Sequence, residues 1–169
     1  MKSKGGLTVA LVLVVSAAVL ATPASAASTR AEYVAQVDPM CQAALPQLAS
    51  TQGAFVRKLK AIDNRLKKHR FKGILKLISS AARSLSSYTT VHGNLTTQIS
   101  GVPPAPPDTS AVNGWIQDRR NAESFGNSAA SSLKHAKFRQ FSRQLNQAAA
   151  ADQAGIALIS GFGFQYCAR

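Results

Sequence analysis

Cys41 and Cys167 are the only thiols in this 169-residue chain, and their fate decides how much chemistry it can offer. A free thiolate is a nucleophile and a zinc ligand; two paired cysteines are neither. Pairing depends on compartment, which the N-terminus indicates. Lys2 and Lys4 are followed by no charge until Arg30, Leu7 to Leu20 is a 14-residue apolar run, and Ala24-Ser25-Ala26 places small residues where a signal peptidase reads. That order predicts a secretory signal peptide over residues 1–26, cleaved after Ala26. A retained membrane anchor would need about 20 apolar residues, and this run dilutes into Thr22, Pro23 and Ser25. In an exported chain an even cysteine count predicts one disulfide, Cys41 to Cys167, with neither sulfur left to react.

The remaining polar chemistry is sparse. His69 and His135 fall among lysines and arginines in expected turns, and two imidazoles do not complete a metal shell, so no metal is expected. His92 lies on an apolar stripe, where a hydrogen-bonded core histidine is expected. The seven carboxylates are scattered without an acid/base pair. No catalytic residue, no cofactor and no enzymatic activity follow from these residues.

The cations are different. Against seven acids stand 20 Lys and Arg, and the formal net charge is +13. Arg57, Lys58, Lys60, Arg65, Lys67, Lys68, Arg70, Lys72 and Lys76 crowd one stretch with Asp63 as its single acid; Lys134, Lys137, Arg139 and Arg143 form a second cluster without any. A charge run is ordinarily a solvated face. Gathered at one place, however, these side chains would attract polyanions with a salt-dependent pull. Arg65, Lys67, Lys68, Arg70, Lys72, Lys134, Lys137, Arg139 and Arg143 are the expected anion-binding set. The partners expected outside a cell are anionic envelope polymers, lipid headgroups or an acidic protein. Nucleic acid is disfavoured, because the aromatic platforms that stack bases are missing. Lys67 to Ile78 also reads as a basic amphipathic helix of the membrane-surface kind, but Phe71, Ile74 and Ile78 belong to a core stripe and are expected to be buried.

Helices must carry these groups. Thr29-Arg30-Ala31-Glu32 has capping-box spacing. From there Val34, Val37, Cys41, Leu45, Leu48, Phe55, Leu59, Ile62 and Leu66 recur at steps of three and four, interrupted by Gln52. Pro39 and Pro46 lie inside this stretch and predict a restart and a kink. A second stripe runs from Phe71 to Ile99, a third from Val112 to Leu133, and a fourth from Phe138 to Phe162. Gly101 and four prolines separate the second from the third. The predicted helices are 30–68, 71–100, 110–134 and 137–162. Leu66-Lys67-Lys68-His69-Arg70-Phe71-Lys72 recurs as Leu133-Lys134-His135-Ala136-Lys137-Phe138-Arg139, 67 residues on, and marks both as hairpin tips. The result is an all-α, up-down-up-down four-helix bundle over residues 27–169, two helical hairpins tied by one disulfide. Both basic tips then share one pole, and the cysteines meet at the other. Gln52, Tyr88, Arg119 and Asp152 fall at one level and predict a polar core layer in which Asp152 pairs with Arg119.

Tyr33 ahead of Cys41, Pro103-Pro104 before a helix with Trp115, and Gly161-Phe162 shortly before Cys167 give the chain its layout. In that layout it resembles the small secreted helical proteins of high-GC Gram-positive bacteria that carry an N-terminal/C-terminal cysteine pair. The resemblance implies an envelope or extracellular location and a Cys–Cys tie, and attaches no biochemical activity. The expected role is a non-enzymatic protein associating with anionic surfaces or partners through the basic pole. The alternative is a small-ligand carrier using the bundle interior, which an internal apolar cavity would favour.

Overall fold

The computed structural model describes residue 27 and residues 29–168; the expected signal segment, 1–26, lies outside the described residues. Four helices, α1 (Arg30–Lys67), α2 (Ile74–Ser100), α3 (Thr109–Lys134) and α4 (Phe138–Ile159), follow one another, with a short 3-10 turn at Pro106–Asp108. Among the described residues there is no strand. The predicted capping box forms: the Glu32 N–H donates to Thr29 Oγ1 at 3.2 Å, and the Thr29 N–H donates to Glu32 Oε2 at 3.3 Å. The predicted restart at Pro39 is absent, since α1 continues through both prolines. Each proline removes the donor for a carbonyl four residues back. Those carbonyls belong to Ala35 and Gln42, both on the exposed face, where water can serve them.

The 67-residue repeat is a repeat of structure. At the first tip the His69 N–H donates to Leu66 O at 3.0 Å and the Arg70 N–H to Arg65 O at 2.8 Å; at the second, Ala136 donates to Leu133 O and Lys137 to Ser132 O, both at 2.9 Å. Both pairs make the Schellman helix stop, and both put a non-glycine residue in the left-handed region, His69 at φ 49° and Ala136 at φ 55°. A Cβ is disfavoured there. Ala136→Gly should therefore stabilise the fold by ~1 kcal/mol, raising the thermal midpoint by roughly 2–4 °C, as unfolding followed by circular dichroism would show.

The hairpins stack in order: α1 on α2, α2 on α3, α3 on α4. The core divides into two clusters along the axis. Phe55, Ile62, Ile78, Leu85, Leu133 and Phe141 pack at the end bearing both tips. Tyr33, Val37, Cys41, Leu95, Ile99, Trp115 and Ile159 pack at the end bearing the termini. Cys41 and Cys167 are joined there, as the sequence predicts.

Helix α3 approaches its neighbours closely because glycines face them. A Cβ on Gly155 would sit 3.1 Å from both Trp115 Cδ1 and Asp118 Cβ, and one on Gly126 would sit 2.5 Å from Thr89 Cγ2. Helices α1 and α4 have no comparable backbone approach. They meet through side chains, as where the Phe55 and Phe141 rings lie edge to face at 6.4 Å. That looser seam shapes the interior.

Candidate functional site

The two ends of the bundle differ in charge. At the tip end all nine predicted anion-binding side chains are exposed: Arg65, Lys67, Lys68, Arg70, Lys72, Lys134, Lys137, Arg139 and Arg143. Asp63 pairs with Lys67 at 2.7 Å. Lys58 is turned inward, donating to Ser80 O at 3.2 Å and Ser84 Oγ at 2.5 Å. Arg65 Nη1 donates to Lys72 O at 2.5 Å and braces the first turn. A shallow depression of about 770 Å³ opens there, lined by Asn64, Arg65, Lys68, His69, Arg70, Phe71 and Lys72. Cations thus surround it with no carboxylate in its wall. At the second tip a smaller notch of about 210 Å³ has His135 and Lys137 over a serine-rich floor.

The expected burial of Phe71 is corrected by the structure. Gly73, left-handed at φ 76°, opens α2 at Ile74 instead of residue 71, so Phe71 stays in the turn. It is 61 % exposed; Leu75 is 71 %, Leu66 45 % and Phe138 48 % exposed. Phe138, also expected on a buried stripe, opens α4 one turn beyond the core that Phe141 enters. Phe71 and Phe138 occupy equivalent positions of the repeat. The pole therefore combines cations with protruding apolar side chains, which spacing alone does not reveal.

At the other end the acids are used internally. The Asp38 carboxylate accepts from the backbone N–H groups of Gln165 at 3.1 Å, Tyr166 at 2.8 Å and Cys167 at 3.1 Å, fixing the segment after α4. Arg30 donates to Asp108 through Nε at 3.1 Å and Nη2 at 2.5 Å, and its guanidinium lies 4.4 Å from the centre of the Phe162 ring. Asp108 precedes α3 without capping it, because Arg30 takes its oxygens.

Between the two core clusters lies a cavity of about 310 Å³, lined by all four helices. Helix α1 contributes Gln52, Phe55 and Val56; α2 contributes Leu85, Tyr88, Thr89 and His92; α3 contributes Ala122, Glu123 and Gly126; α4 contributes Leu145, Ala148, Ala149 and Asp152. Of the predicted polar core layer, Tyr88 and Asp152 line this space, Gln52 borders it but is exposed rather than buried, and Arg119 does not line it. The expected Asp152–Arg119 pair is also corrected. Asp152 Oδ1 lies 3.5 Å from His92 Nε2. Arg119, buried behind the wall, donates from Nε to Thr96 Oγ1 at 3.1 Å and stacks over Trp115 at 5.6 Å, with Nη2 unbonded. It sits one helical turn beyond Trp115, and that stacking draws the guanidinium toward Thr96 on α2.

The charges still sense one another. Burial pushes the Asp152 carboxyl up, but the hydrogen bond and charge of His92 and the charge of Arg119 outweigh it and hold the group below the usual range. Burial raises the Tyr88 phenol, and Asp152 adds to that. The Arg30 hydrogen bond, against burial, holds Asp108 below its usual value. Folded-state values lower than unfolded ones give stability that is complete above about pH 4 and is lost as pH falls through the lowered values. Thermal unfolding from pH 6 to pH 2 should show the midpoint falling, and Asp108→Asn should flatten that slope.

Sequence reasoning missed Glu123 in the cavity wall. Its carboxylate lies so close to Gly93 that a Cβ there would come within 2.4 Å of Oε1. A glycine at an apolar-stripe level of the facing helix was the available signal. Compared with protein-family models, curated proteins and solved structures, the chain matches none.

Proposed function

We propose that this is an exported, non-enzymatic protein that docks onto anionic lipid surfaces of the cell envelope through its basic pole. One observation carries the reading: protruding Phe71, Leu75, Leu66 and Phe138 stand among exposed cations at a single end of the bundle. Apolar side chains ringed by Lys and Arg suit the interface of an anionic bilayer, the rings entering the headgroup boundary while the cations meet phosphates. A soluble polyanion would use the cations and leave the phenylalanines idle. The opposite pole, where Asp38 and Asp108 are tied into the fold, supports one-sided docking. The charged start and apolar run before Ala27, with the disulfide, support an exported location. No described helix is long and apolar enough to cross a membrane.

Co-sedimentation with phosphatidylglycerol and phosphatidylcholine vesicles across a salt series tests the proposal. Binding to the anionic vesicles alone, weakening with salt, is the expected result. Equal loss of that binding to a soluble phosphate polymer at matched charge, whether or not Phe71 is present, would place the partner among wall polymers instead.

A further inference from the structure

We infer that the mid-bundle cavity is a binding site for a small amphiphilic amine, an ammonium head on an apolar body. This goes beyond the docking reading and uses none of its residues. The chain carries 20 Lys and Arg against seven acids, yet two of those acids, Glu123 and Asp152, line the cavity and no Lys or Arg does. The interior is thus the electrostatic inverse of the surface. Arg119 offsets part of the Asp152 charge from behind the wall; Glu123 has no ion-pair partner among the described residues.

The lining is also ordered along the axis. His92 and Asp152 lie toward the terminal end, and the side chains of Leu85, Leu145 and Phe55 lie toward the tip-end cluster. A ligand with one charged and one greasy end matches that gradient, and the Tyr88 ring adds a face for a cation. The volume is near the lower limit for small-molecule pockets, about 300 Å³, which suits a short chain or a single ring. Entry is possible at the looser α1–α4 seam. There α4 presents Ala148 and Ala149, the start of a four-alanine run that ends at Asp152, so small side chains stand where large ones would close the wall. The excess of Lys and Arg over Asp and Glu repels amines from the surface at large, which favours this interior for binding them selectively.

Calorimetric titration of the intact protein with hexylammonium, hexanol and hexanoate tests the assignment. Hexylammonium should bind one per chain, with hexanol and hexanoate at least about tenfold weaker. Glu123→Gln and Asp152→Asn should each weaken it by about tenfold, and Ala148→Phe should abolish it. Glu123 is only half-buried, so its variant stays informative if Asp152→Asn fails to fold. Reversing Lys67, Lys68, Lys134 and Lys137 to Glu should leave hexylammonium binding unchanged, which separates this site from the docking pole. Hexanol binding as tightly as hexylammonium, hexylammonium failing to bind, or folded Ala148→Phe binding it undiminished would overturn the inference.

Discussion

Reversing Lys67, Lys68, Lys134 and Lys137 to Glu will reduce binding to anionic vesicles by about a thousandfold or more. Each Lys or Arg at an anionic surface contributes ~1 kcal/mol, so removing four forfeits ~4 kcal/mol before the added repulsion is counted. All four side chains are exposed, and among the described residues only Lys67 of the four has an acidic partner, Asp63, in a solvated pair of little energetic worth. The variant should therefore melt like the parent, and the loss can be read as a loss of docking. A double variant, Phe71→Ser with Phe138→Ser, should weaken vesicle binding while leaving binding to a soluble phosphate polymer intact. The two variants separate charge from insertion, and co-sedimentation with a matched polymer titration measures both.

Reducing the Cys41–Cys167 disulfide, or replacing both residues with Ser, will cost about 5 kcal/mol by the chain-entropy relation. The two residues are 126 apart, so the bridge closes nearly the whole domain. That is a large share of the 5–15 kcal/mol typical of a domain. The fold concentrates the effect. The segment after α4 has no helix of its own, and Asp38 with Cys167 hold it against α1. Phe164 from that segment packs 5.6 Å from Trp115 and 6.3 Å from Tyr33. Helices α1 and α4 approach each other less closely than the sequence-adjacent helices do, so the bridge supplies the covalent closure between the two ends of the chain. In denaturant, the reduced protein should lose its Trp115 emission at a much lower midpoint than the oxidised one.

Much of the architecture was legible because helical periodicity records which face of each segment is buried. Four stripes, a capping box and a recurring Leu-Lys-Phe tip were enough to lay out two hairpins, place both tips at one pole and bring Cys41 to Cys167. What periodicity cannot record is where a stripe outruns its neighbours. Phe71 and Phe138 continue their stripes in sequence but lie beyond the last packed turn, so both protrude. Counting from the tips put Gln52, Tyr88 and Asp152 around one cavity, though Gln52 is exposed at its border. It did not give azimuth, which stacking on Trp115 decides for Arg119 and which leaves His92 to meet Asp152. Glu123 is legible only once Gly93 is matched to it across two helices, a pairing that no single stripe supplies. The cavity itself arises from which helix pairs approach closely, a consequence of glycines whose partners no single stripe identifies.

Depth-dependent quenching tests insertion of the pole most directly. Phe71→Trp and Phe138→Trp would each place a reporter at a tip, while Trp115 stays fully buried far from it. With phosphatidylglycerol vesicles containing brominated acyl chains, the docking account predicts blue-shifted and quenched emission from both reporters, and none with phosphatidylcholine alone. Co-sedimentation with the anionic vesicles while both reporters stay unshifted and unquenched would contradict it, leaving the phenylalanines outside the bilayer.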